Sequence, residues 1–378
     1  MHLLRIRQHL VTGASVSPCL STCVARGKRV APVLSLILVM TVAGCASVPA
    51  TLQYEPPAAA EMVFPAPPDP PRYRYVGQLT GQPNFASDES QKESAGLKVL
   101  RWMVGLVAGK DIPEILQRPQ GGMVDAEGRI YVADVSRQAV CVFDTVAGKY
   151  QVWDMATTAE RFRSPISVVE GDNNEIWVSD STLGYVVRLD REGKPLGRIG
   201  EGSLSHPTGL ARDASTGRLF VSDTHAHEIK VFNAEGKLVN RFGGKGEGEG
   251  QFNSPTFLTL ANDQLYVSDT MNSRIQVLTS SGEAVRSFGR RGLFVGNLPR
   301  PKGVAVDQNG LIYVVESYYD YLLIFNNKGE LMLPIGGSGS GVGQFYLPSA
   351  VWVGNQQRIY VSDMFNGRIA VFEFLGEG

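Results

Sequence analysis

Cysteine and histidine are both scarce in this 378-residue chain, at four and five residues. Cys19 and Cys23 lie in the first 44 residues, which read as a cleaved leader. That leaves Cys45 and Cys141, and no intramolecular disulfide framework is expected. Only His206, His225 and His227 remain after the same cut, so any imidazole chemistry has three candidates. Long apolar runs are also missing. The longest, Val30–Val42, is too short to span a bilayer stably. A basic surplus is absent too: beyond residue 44 the chain carries 31 positive against 37 negative side chains, a net of −6. Sequence-independent binding to nucleic acid, which depends on neutralising phosphates, is not expected.

What the chain has is repetition. An apolar strand ending in an acid, a polar turn and a second apolar strand recur six times, most plainly in Gln264–Leu278, QLYVSDTMNSRIQVL. The closing acids Asp134, Asp180, Asp223, Asp269, Glu316 and Asp363 stand 46, 43, 46, 47 and 47 residues apart. A period in the forties with paired strands in every unit predicts an all-β fold, a six-bladed β-propeller. A proline (Pro119, Pro165, Pro207, Pro255, Pro301, Pro348) opens the inner strand of each blade. Glycine-centred turns such as Asn233–Gly236 lead to an outer strand ending in Gly. The last repeat lacks an outer strand, whereas Tyr73–Leu79 is a strand with no repeat of its own. It is expected to complete the sixth blade and remove the open edge.

Before the repeats, Arg26, Lys28 and Arg29 precede the apolar run, and Val42-Ala43-Gly44-Cys45 follows it. This arrangement resembles a bacterial lipobox, which implies that residues 1–44 are a signal peptide and that Cys45 becomes the lipidated first residue, anchored to a lipid bilayer. Ala46, rather than Asp, at the next position implies the periplasmic face of the outer membrane by the sorting rule of such lipoproteins. The long stretch before the apolar run fits a translation start nearer Val24. Residues 45–72, rich in Pro and Ala, read as a semi-extended tether, and residues 73–378 as the propeller. Thr80–Arg118 is an insertion centred on a short apolar helix at 96–108, either packed over one mouth or exposed as a docking surface.

Gly-Gln-Phe-x-x-Pro at 250–255 and 343–348, followed by Leu-Tyr-Val-Ser-Asp and Asn-x-Arg-Ile-x-Val at 265–277 and again within Tyr360–Val371, resembles the NHL repeat family of six-bladed propellers. The resemblance implies the fold and little about activity, since that family includes sensor domains, RNA- and protein-binding modules and a zinc lyase.

Comparing the six copies separates scaffold from function. The recurring acid reads as a cap for the following turn. The glycine-rich Phe242–Phe252 lacks a Gly-Lys-Ser/Thr ending and has a counterpart in 336–345, so it reads as an inter-blade link and not a phosphate loop. Cys141 reads as a small core residue. Departures from the repeat are the candidates. The turns between second and third strands share a mouth with the inter-blade links, which brings His206, His225 and His227 near one another, a set that suits zinc or copper. Tyr318, Tyr319, Phe365, Met271 and His225 would form a belt of aromatic and soft side chains around that mouth, suited to a partner. The residues after the blade prolines, Gln120, Ile166, Thr208, Thr256, Lys302 and Ser349, include no carboxylate, unlike the calcium-dependent lactonases that the architecture also resembles. No nucleophile setting is present. The expectation is a non-enzymatic binding or scaffold protein of the cell envelope, without cofactor, taking an envelope protein, peptide or glycan. The alternative is a metal-assisted lyase or hydrolase using the three histidines.

Overall fold

The computed structural model describes residues 50–55, 62–85 and 112–376. Cys45 and the helix expected at 96–108 lie outside them. Six antiparallel sheets form the described fold. In blade one the strands are Pro119–Val124, Ile130–Asp134, Ala139–Asp144 and Lys149–Trp153, and the other blades repeat this order. Second and third strands are buried along nearly their whole length. That burial follows from near-continuous apolar sequence on strands covered on both faces by neighbouring blades. Six apolar clusters result, each at one junction between adjacent blades. Cys141 is fully buried in one of them, and burial pushes its thiol up to about 12, in keeping with a core residue.

The ring closes as the sequence predicts. Tyr73–Leu79 pairs antiparallel with Arg368–Phe374, from Tyr73 opposite Phe374 to Leu79 opposite Ile369. The tether reading needs correction, because the described parts of 45–72 pack on the closing blade. Val63–Phe64 adds a fifth strand against Tyr73 and Arg74. Leu52 and Tyr54 join the cluster between blades six and one, and Arg358 donates to Tyr54 Oη at 2.9 Å. The prolines of this segment are compatible with extended edge structure, and the apolar residues between them supply the contacts that the composition obscured.

The axis is narrow. Two residues after each blade proline stand Gly121, Ser167, Gly209, Phe257, Gly303 and Ala350, five small side chains and one large. A Cβ at Gly209 would lie 2.5 Å from the Thr256 carbonyl oxygen, so neighbouring inner strands approach more closely than a side chain there permits. Phe257 reaches from blade four to the opposite blade, where a Cβ at Gly121 would meet its Cε1 at 3.1 Å. It therefore crosses the channel. On its far side lies an axial cavity of about 240 Å³ lined by all six inner strands.

Candidate functional site

The mouth on the proline side of Phe257 is built on the recurring acids. Each is buried, with at most 1% exposure. Asp180 shows the pattern: Oδ1 accepts the N–H groups of Thr182 and Leu183 in its own turn, and Oδ2 accepts those of Arg163 and Ser164 in the preceding link. The turn cap was legible in the sequence; the clamp on the link, sixteen or seventeen residues upstream, was not. Asp134 and Glu316 bind both segments in the same way.

With the acid fixed, the residue two positions on becomes the exposed tip of its turn: Ser136, Thr182, His225, Met271, Tyr318 and Phe365. Blades one and two carry hydroxyls, while blades three to six carry an imidazole, a thioether and two aromatic rings. Met271 is 61% exposed, Tyr318 62% and Phe365 45%. Tyr319 is only half-buried and stands edge-on to Tyr318, with centroids 4.8 Å apart, so it supports that ring from beside it. The sequence reading missed Tyr346, which is 51% exposed with its ring centroid 5.4 Å from that of Phe365. The Arg118 guanidinium covers the Phe365 ring at 4.8 Å. The missed signal was a difference between copies, since Asn253 holds the place of Tyr346 in the other Gly-Gln-Phe-x-x-Pro.

The histidines divide. His206 and His225 stack, with centroids 4.0 Å apart and planes 15° from parallel. His227 does a different job, which corrects the three-histidine cluster. It occupies the left-handed corner of its turn at φ 58°, as Ser273 and Asp320 do in theirs, and its Nδ1 accepts the Ser254 N–H at 3.0 Å. Asp320 accepts the Leu347 N–H at the same place in the next-but-one link. His227 is thus a tie between turn and link. No group of three His, Cys, Asp or Glu side chains placed to hold a metal occurs among the described residues.

Burial, reinforced by the like charge of His225 and opposed by Asp223, holds His206 below its ordinary value near 6.5. The fold favours neutral His206, so the unfolded chain binds more protons once pH drops below that ordinary value. Its contribution to stability is complete above about 6.5 and is lost as pH falls through the lowered folded value. Thermal unfolding from about pH 7.5 to about pH 5 should show a smaller loss of Tm in His206→Gln than in the parent. Parallel curves would contradict this.

Inside the rim, Thr208 and Thr224 hydroxyls meet at 2.8 Å, and those of Thr256 and Thr270 at 2.7 Å. Lys302 replaces a hydroxyl in blade five, and burial beside the like-charged Arg300 lowers its pKa.

These features define a six-bladed β-propeller. The NHL repeat matches at residues 204–232, and a domain described as a 6-bladed beta-propeller at 302–377. The chain is 36% identical over 64 residues to the E3 ubiquitin-protein ligase NHLRC1 of Homo sapiens, which covers 17% of this chain and 16% of that protein. The chain thus spans a small part of the curated relative it matches. Among solved structures it is similar to a streptogramin B lyase (TM-score 0.52, 13% identity, 68% of this chain and 94% of that one). It is also similar to a gluconolactonase of Xanthomonas campestris (TM-score 0.53, 16% identity, 84% and 99%). At these identities the likeness concerns the fold alone.

Proposed function

We propose that this protein is a non-enzymatic binding or scaffold protein of the bacterial cell envelope, anchored through a lipid on Cys45 at the periplasmic face of the outer membrane. It takes a protein, peptide or glycan partner on the mouth that carries the second-to-third strand turns. One observation carries the reading: the exposed turn tips of four consecutive blades are His225, Met271, Tyr318 and Phe365, on a scaffold that uses its buried acids for backbone ties. Such side chains offer large contact area at low entropy cost and recur among energetic anchors of interfaces. The metal-assisted alternative is weakened by the commitment of His227 to the Ser254 N–H.

A photo-crosslinking residue at Met271 should capture a partner in intact cells, whereas the same residue at Lys328, in the opposite-facing turn of blade five, should not. Tyr318→Ala combined with Phe365→Ala should lower the yield at Met271 by about tenfold or more. Equal adducts at both positions, or a yield indifferent to the double substitution, would remove the reading.

A further inference from the structure

The link between blades four and five departs from its two counterparts along its whole length. Gly244–Phe252 and Gly337–Phe345 read GKGEGEGQF and GSGSGVGQF, whereas Arg290–Leu298 reads RRGLFVGNL. The backbone frame is shared: Leu298 N–H reaches the Arg290 carbonyl at 2.9 Å, as Phe252 reaches Gly244 and Phe345 reaches Gly337. Leu298 takes the buried place of the two phenylalanines. The tip changes character. Where the first link exposes Glu247 and Glu249, this one exposes Leu293 at 82%, Phe294 at 81% and Val295 at 50%. The tip is tied at its base, with Asn297 N–H on the Phe294 carbonyl at 3.0 Å and Arg290 Nε on Asn297 Oδ1 at 3.2 Å.

The charge around it is one-sided. Residues 284–300 contain Arg286, Arg290, Arg291 and Arg300 and no acid, in a chain whose part beyond residue 44 is net negative. None of these four arginines forms an ion pair among the described residues, whereas thirteen other basic residues do. A protruding apolar tip beside unpaired arginines is the pattern of a bilayer-inserting element: the side chains enter the acyl boundary and the cations meet anionic headgroups. We propose that the Arg290–Leu298 link docks the propeller rim on an anionic lipid bilayer, with Leu293 and Phe294 inserted and Arg290 and Arg291 on headgroups. This does not rest on the Cys45 anchor or on the partner surface proposed above.

The test is Phe294→Trp in the full chain, read as the fluorescence difference from the unsubstituted chain, so that signals from the native tryptophans and from the leader cancel. Vesicles of phosphatidylcholine with phosphatidylglycerol should shift the added emission to the blue. Leu293→Asp with Phe294→Asp should lower the loop-dependent part of vesicle flotation by about tenfold or more. Arg290→Gln with Arg291→Gln should lower it by roughly thirtyfold on phosphatidylglycerol vesicles and little on phosphatidylcholine alone. The side chains of Leu293 and Phe294 are more than four-fifths exposed, and unchanged thermal unfolding verifies that the variants are intact. An added tryptophan emission that stays at the water-exposed position, with flotation indifferent to the aspartates, overturns the proposal and leaves a protein partner for this loop.

Discussion

Asp180→Ala is expected to lower the folding free energy by about 4 kcal/mol, measured by urea or thermal unfolding, although the residue touches no ligand. The size follows from what its carboxylate holds. It is fully buried, pairs with no cation among the described residues, and accepts four backbone N–H groups at 2.7 to 3.0 Å. An alanine leaves those donors without their acceptor, and each stranded buried donor costs about 1–3 kcal/mol, less whatever water can recover. Asp180→Asn should fall between, because its amide offers one acceptor oxygen and sets an NH₂ against the remaining N–H groups. Asp190, a partly exposed acid in the third-to-outer turn of the same blade, accepts N–H bonds from Glu192 and Lys194. Replacing it by Ala should cost about 1 kcal/mol or less, since water takes over as acceptor. Equal effects at the two positions would show that the clamp on the inter-blade link carries no special stability.

The same acids explain why the fold was legible and the site less so. A residue required in every blade leaves a period, and a period is readable without coordinates, so the blade count and the closing strand followed from spacing alone. The turn tips were legible for the complementary reason: His225, Met271, Tyr318 and Phe365 differ where their neighbours repeat. Two kinds of residue escaped. His227 looked like a departure because no other blade has histidine there. Its position is nevertheless a recurring left-handed corner from which a side chain can tie the next link, a task that Asp320 performs with different chemistry. Conversely, Tyr346 and the Leu293–Val295 tip sit in links that read as connective tissue. Glycine-rich counterparts made the whole class look like scaffold, and exposure, which distinguishes these residues, is not a property of sequence spacing. Phe257 belongs to the same group, since its closure of the channel depends on the small residues facing it from other blades.

Removing residues 1–79 should abolish the single cooperative unfolding transition that a chain starting at residue 49 retains. Pro49–Gly378 forms one compact unit, and within it Tyr73–Leu79 is the outer strand that the sixth blade does not supply from its own end. Without it, Arg368–Phe374 presents a row of unpaired backbone groups, and the apolar residues that Tyr73, Tyr75 and Leu79 cover become wet. These three side chains are 1%, 4% and 0% exposed, and burying each is worth about 1.5–3 kcal/mol. Their sum is comparable with the whole stability of a typical domain, about 5–15 kcal/mol. Tyr73 also binds across the junction: its hydroxyl meets that of Tyr313 in blade five at 3.2 Å, and Tyr313 donates to Asp307 at 3.0 Å. Loss of the strand therefore loosens two blades, and the freed edge can pair with a second copy. Size-exclusion chromatography of the 80–378 chain should show oligomers or aggregates, and a synthetic peptide of residues 62–79 should shift it toward monomer by refilling the edge. A monomeric 80–378 chain melting at the parent temperature would mean that the N-terminal strand covers a ring already closed without it.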